Sequence, residues 1–125
     1  MNAPRFAFTR WRRAAAVLVA GAALAALQQE AELKEIARLV GVDALSNRDR
    51  LVLGTAKSIR EDFLHQNAFD DVDTYTSFAK QYKMLRNIMA MHRAASDVIE
   101  QGVQAEAIFA LPVQEEISRS RYIPE

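Results

Sequence analysis

From Gln28 onward the apolar residues recur with the period of an α-helix. Leu33, Ile36, Ala37 and Val40 fall at i, i+3, i+4 and i+7, which predicts one buried stripe on a first helix. Gly41 follows where a left-handed cap would end it. Ser46 stands three residues before Asp49, a Ser-x-x-Asp start signal, and Val52, Ala56, Ile59 and Phe63 carry the next stripe to about His65. Beyond the stretch QNAFDDVDTY, Thr74 or Thr76 is the candidate cap of a long helix. Its stripe takes in Phe78, Tyr82, Leu85 and Met89, with Ile88, Met91 and Ala95 on an adjoining line, and Gly102 is its natural end. A shorter segment from Ala105 to Leu111 is broken by Pro112, and VQEEISRSRYIP supplies a last apolar turn. No alternating strand pattern of useful length appears. The pattern predicts an all-α fold, a small helical bundle of four to five helices with short connections.

The opening residues follow a different rule. Ala14 to Leu27 is a run of 14 uncharged small or apolar residues behind an Arg-rich leader, with Ala20-Gly21-Ala22 and Ala23-Leu24-Ala25 as candidate cleavage sites. This is the form of a secretory signal. A spanning anchor fits less well, because it wants about 20 apolar residues. The competing reading is an alanine-rich helix start, or sequence foreign to the domain. The phase of Leu24 and Leu27 continues into Leu33, so the expected division is a leader at 1–23, a candidate separate helix, and a helical domain at 24–125.

Composition narrows the functional classes. The 125 residues allow one domain, and half of them are apolar, enough to build a core. Acids and bases balance at 16 each, but Arg5, Arg10, Arg12 and Arg13 meet no acid before Glu30. The body from Gln28 onward is therefore mildly acidic and gives no electrostatic argument for nucleic acid. With no Cys, disulfides and thiolate metal sites are excluded.

Candidate chemistry is sparse. His65 and His92 lack any metal-binding spacing and read as helix-surface or helix-end residues. Asp70, Asp71 and Asp73 lack the central Gly and final Glu of a calcium loop and read as capping residues, while Glu115 and Glu116 read as a solvated face. Gly54-Thr55-Ala56-Lys57-Ser58 superficially suggests a phosphate loop, but the G-x-x-x-x-G-K-[ST] spacing is missing and the residues sit inside a helical pattern. Met84, Met89 and Met91 read as core filler.

Taken in order, EAELKEIARLVGVDALS (Glu30 to Ser46), DRLVLGTAKSIREDFLHQNAFDDVDTYTS (Asp49 to Ser77), KQYKMLRNIM (Lys80 to Met89) and LPVQEEISRSRYIPE (Leu111 to Glu125) carry a more specific signal. Together they resemble the C-terminal domain of the catalytic A subunit, or alpha chain, of V/A-type rotary ATPases and ATP synthases, over roughly residues 24–125. The combination of IREDFLHQNAF, VDTYTS and LPVQEEI, in that order, is far more specific than helical periodicity, which any generic bundle would reproduce.

The resemblance implies a part of an ion-translocating machine. In that family the A subunit turns over ATP at an interface with the non-catalytic B subunit, in a hexameric ring of three A and three B subunits. The phosphate loop, the catalytic carboxylate and the magnesium-bound ATP or ADP belong to domains that precede this one. The chain alone is thus expected to hold no cofactor and to be catalytically inactive. The helical domain swings with nucleotide occupancy and pushes on the central stalk, coupling ATP synthesis or hydrolysis to proton or sodium transport. The QNAF loop resembles the part of the adenine pocket supplied from this side, with Phe69 against the base and Gln66, Asn67 and Ala68 around it. The other reading of Phe69 is a residue packed beneath the loop. The implied location is cytoplasmic and peripheral to the membrane, with membrane contact only through the complex or the N-terminal leader. The first 23 residues depart from the family pattern, and their Ala/Arg bias fits a truncated or chimeric reading frame. If residues 1–27 act as a signal, the alternative is an exported or membrane-tethered helical interaction module.

Overall fold

The computed structural model describes residues 5–64 and 77–123, and among these residues every regular element is helical. The first helix, α1, runs unbroken from Arg5 to Val40. The Ala/Arg-rich segment is therefore not a separate helix. Ala, Leu, Arg, Gln and Glu dominate this stretch, Pro is absent from it, and the single interior Gly21 costs too little to interrupt it.

The stripe that α1 buries differs from the one its large apolar residues predict. Ala23, Ala26 and Glu30 are buried and Val19, Leu27, Leu33 and Ala37 half-buried, whereas Leu24, Ile36 and Val40 are exposed. Small residues at the contact line let α1 lie close against its neighbours, and this decides which face turns inward. Gly41 ends the helix at φ 91°, ψ 151°, with its N–H donating to the Ala37 carbonyl at 2.8 Å. This conformation suits glycine but is not the left-handed helical cap the sequence suggests.

A 3₁₀ turn, Val42–Ala44, and the buried Leu45 lead to Ser46, whose Oγ accepts from the Asp49 N–H at 3.1 Å. The predicted cap therefore starts α2, Asn47–Ser58. That helix does not continue as an α-helix: residues Ile59–Leu64 form a π-helical turn, one residue wider per hydrogen bond. The long helix α3, Phe78–Glu100, is capped by Ser77, whose Oγ accepts from the Lys80 N–H at 3.1 Å, and not by Thr74 or Thr76. Those two threonines lie outside the described residues. At the other end Gly102 takes φ 100° and turns the chain.

Two short helices complete the bundle, α4 at Ala105–Phe109 and α5 at Pro112–Arg119, followed by a 3₁₀ turn, Ser120–Tyr122. Pro112 opens α5 at a first-turn position, where its missing N–H would have no intrahelical partner. The start of α4 is capped from a distance, because Asn47 Oδ1 in α2 accepts the Ala105 N–H at 3.1 Å. Phe109 lies across Gly54, where an added Cβ would come within 2.4 Å of the ring. Gly54 thus serves close helix packing.

The core has two parts. Ala23 and Ala26 of α1, Ile59 of the π-turn, and Leu85 and Ile88 of α3 form the first, with Phe63, Met89 and Ile117 packed against it. Leu51, Ala95 and Ile108 form the second, against Met91, Val98 and Ile99. Buried Met84 and half-buried Met89 and Met91 thus act as the gap-fillers the sequence suggests. Phe78, at the head of the α3 stripe, is by contrast exposed.

Candidate functional site

Gln66, Asn67, Ala68 and Phe69 lie outside the described residues, as do His65, Asp70, Asp71 and Asp73. The structure defines what holds the two ends of this segment. On one side the π-turn is pinned into the first core cluster by Ile59, with Phe63 against the same cluster. On the other side Ser77 caps α3. Between these ends and α1 runs an open apolar groove of about 440 Å³, lined among others by Val17, Phe63, Phe78, Tyr82 and Leu85.

The C-terminal segment braces the π-turn. Arg121 Nη1 donates to the Glu61 carbonyl at 2.9 Å, a contact across 60 positions of sequence. Lys80, buried at the start of α3, donates from Nζ to the Arg121 carbonyl at 2.6 Å. Burial pushes the Asp62 carboxyl above its ordinary pKa, opposed by a hydrogen bond with Ser118 and by the Arg121 and Lys57 charges. Ile117 packs against the core beneath. The brace consists of charged donors on backbone carbonyls, Arg121 on Glu61 and Lys80 on Arg121, which link the π-turn, the C-terminal turn and the start of α3. Sequence reasoning missed Arg121, Lys80, Asp62 and Ser118, since local periodicity carries no signal for partners this far apart.

A second support lies on the opposite side of the turn. Arg60 grips the buried Glu30 through Nε and Nη2 at 3.0 and 2.8 Å, and Lys34 approaches the same carboxylate at 3.6 Å. The hydrogen bond to Glu30 raises the Arg60 pKa. The fork geometry ties α1 directly to the π-turn.

One polar pair is enclosed between α2 and α3. Thr55 Oγ1 and His92 Nδ1 are 2.6 Å apart, beside a cavity of about 20 Å³ that Ser58 and Gln114 also line. That space suits about one water. His92 is therefore a half-buried partner of Thr55 rather than a surface residue. Burial lowers its pKa from the ordinary 6.5. A base depressed in the folded state leaves the unfolded state binding more protons, so stability is intact above the unfolded value and declines as pH falls from there through the folded value. The thermal midpoint is accordingly expected to drop between pH 7.5 and 5.5, and to drop less in His92→Gln. Equal slopes for the two proteins would remove His92 from the account.

Among the described residues no group of three or more His, Asp or Glu side chains could hold a metal ion. Glu115 and Glu116 are exposed, and Glu115 pairs with Arg119 at 2.7 Å.

Comparison with known proteins gives this arrangement its relatives. Residues 17–109 match the family model described as the C-terminal domain of V and A type ATP synthase. The chain is 60% identical over 99 residues to the V-type ATP synthase alpha chain of Acetivibrio thermocellus, which covers 79% of this chain and 17% of that one. It is 57% identical over 103 residues to the alpha chain of Thermoanaerobacter pseudethanolicus, covering 82% of this chain and 18% of the relative. The corresponding figure for the alpha chain of Clostridioides difficile is 52% over 103 residues, with 82% and 17% covered. The chain thus spans less than a fifth of the length of the curated relatives it matches. With a family match over most of its residues, the chain belongs to the family of C-terminal domains of V- and A-type ATP synthases.

Proposed function

We propose that this chain supplies the helical domain that faces the adenine in an alpha-chain nucleotide site and that transmits nucleotide state to the central stalk. Gln66, Asn67, Ala68 and Phe69 line the adenine side, with Phe69 stacked on the base. Magnesium and the phosphates of ATP or ADP are held elsewhere in the alpha chain. The working assembly is a ring with the B subunit, peripheral to the cytoplasmic face of a membrane, coupling ATP synthesis or hydrolysis to ion transport. The observation that carries this reading is the family match at residues 17–109, which includes the QNAF segment. The anchoring of Ile59 and Phe63 at one end and the Ser77 cap at the other supports it, because a loop that orients a ligand needs fixed ends.

The test uses a complete alpha chain carrying this segment. If Phe69 stacks on adenine, Phe69→Ala is expected to weaken ADP binding by roughly 5- to 150-fold, the equivalent of about 1 to 3 kcal/mol of base stacking, at an unchanged thermal midpoint. A large fall in midpoint with normal affinity in the folded fraction would instead make Phe69 a core residue.

A further inference from the structure

The structure on either side of residues 65–76 is joined through a single residue, Arg121. The chain enters this segment from the π-turn, Ile59–Leu64, and leaves it at the Ser77 cap of α3. The Arg121 side chain reaches the first end, Nη1 donating to the Glu61 carbonyl at 2.9 Å. Its main chain reaches the second end, where the Arg121 carbonyl accepts from Lys80 Nζ at 2.6 Å and the Lys80 N–H donates to Ser77 Oγ at 3.1 Å. One arginine therefore sets the spacing of the two ends. Arg121 is itself held in the 3₁₀ turn Ser120–Tyr122, with its guanidinium 5.0 Å from the centre of the Tyr122 ring. Ser120 Oγ donates to the carbonyl of Ile117 at 2.7 Å, and the Ile117 side chain packs on the first core cluster. Lys80 is only 8% exposed, so its ammonium leaves water for a carbonyl 41 positions away. Helix formation does not require this burial, because Ser77 already caps α3.

We propose that Arg121 and Lys80 are positioning residues for nucleotide binding, a clamp that fixes the spacing between the π-turn and the start of α3. The inference rests on the adenine reading given above. Ordering a loop on binding subtracts from affinity, and ends that are fixed beforehand reduce that cost. The clamp serves the base and not the phosphates, which on that reading are held elsewhere in the alpha chain. Neither Arg121 nor Lys80 belongs to either core cluster, so releasing the clamp leaves both clusters in place.

Hydrogen exchange on the intact 125-residue chain and ligand binding to a complete alpha chain carrying this segment test the clamp together. In the intact chain, Arg121→Ala is expected to speed exchange about tenfold at the Phe63, Leu64, Lys80 and Gln81 amides, while the amides of α2 around Leu51 keep their rates. In the alpha chain the same substitution is expected to weaken ADP binding roughly three- to tenfold and to leave pyrophosphate affinity unchanged. Arg121→Lys, which keeps a charged donor for the Glu61 carbonyl, should restore most of the ADP affinity. Lys80→Met, which removes the donor to the Arg121 carbonyl, should reproduce the loss. A merely structural role would move ADP and pyrophosphate together. Uniformly faster exchange, or equal losses for the two ligands, overturns the clamp. Unchanged ADP affinity in Arg121→Ala overturns the positioning role if Phe69→Ala in the same alpha chain does weaken ADP. If Phe69→Ala is itself without effect on ADP, the adenine reading fails and takes the positioning role with it, whatever the exchange rates show.

Discussion

Ile59→Ala is expected to lower the stability of the domain by about 2 to 5 kcal/mol, the range for truncating a buried Ile. Ile59 is 1% exposed and is the largest fully buried side chain among the described residues. It also joins three parts of the fold, lying against Ala23 and Ala26 of α1 and Leu85 and Ile88 of α3 from its place at the start of the π-turn. The site collapses poorly after truncation, because the alanines that face it have no side chain to move into the space. A domain of this size has about 5 to 15 kcal/mol of stability in all, so the midpoint of thermal unfolding should fall by ten degrees or more. Ile59→Val, which removes one methyl, should cost about 0.5 to 1.5 kcal/mol. Urea unfolding followed by circular dichroism measures both. A loss below about 1 kcal/mol for the alanine variant would mean that the first cluster does not form one continuous core.

Arg60→Ala is the second large effect, expected at about 2 kcal/mol. Removing one partner of a fully buried pair costs about 3 to 5 kcal/mol, because a charge is left desolvated and unpaired. Here the Arg60 side chain is 42% exposed while that of Glu30 is only 9% exposed, so water and Lys34 offset part of the loss. The double variant Glu30→Leu, Arg60→Met should recover most of it, since an apolar pair of similar volume needs no desolvation. If Arg60→Ala costs less than about 0.5 kcal/mol, the fork behaves as an ordinary surface pair. If the double variant is no more stable than the single one, the pair contributes more than mutual compensation.

Both variants act at the π-turn, where the difference between reading and folding is largest. The stripe Val52, Ala56, Ile59 and Phe63 is legible as a helix, and these side chains do face the bundle. Nothing in IREDFL announces that the helix widens there. The widening coincides with donors and apolar contacts arriving from elsewhere in the chain, Arg121 onto Glu61 and Ile117 against Ile59's cluster. The candidate site divides the same way. Gln66 to Phe69 are identified by resemblance alone, whereas the residues that brace the segment's base are visible only once the C-terminal turn is placed beside it.

By itself the sequence determined the all-α class, the start of α2 at Ser46, the chain turns at Gly41 and Gly102, and the family. Caps and breaks are local, set by hydrogen bonds within three or four residues or by a positive φ that glycine adopts most readily. Tertiary structure alone decided which face of α1 is buried. Ile36 and Val40 carry the stronger apolar signal, yet Ala23 and Ala26 occupy the interface, because close helix approach rewards small residues and the fork from Arg60 fixes Glu30 on the same side. It also decided that Glu30 and Lys80 are buried. A charged side chain goes inside when a partner from a distant element waits there, and periodicity along one helix contains no record of the other.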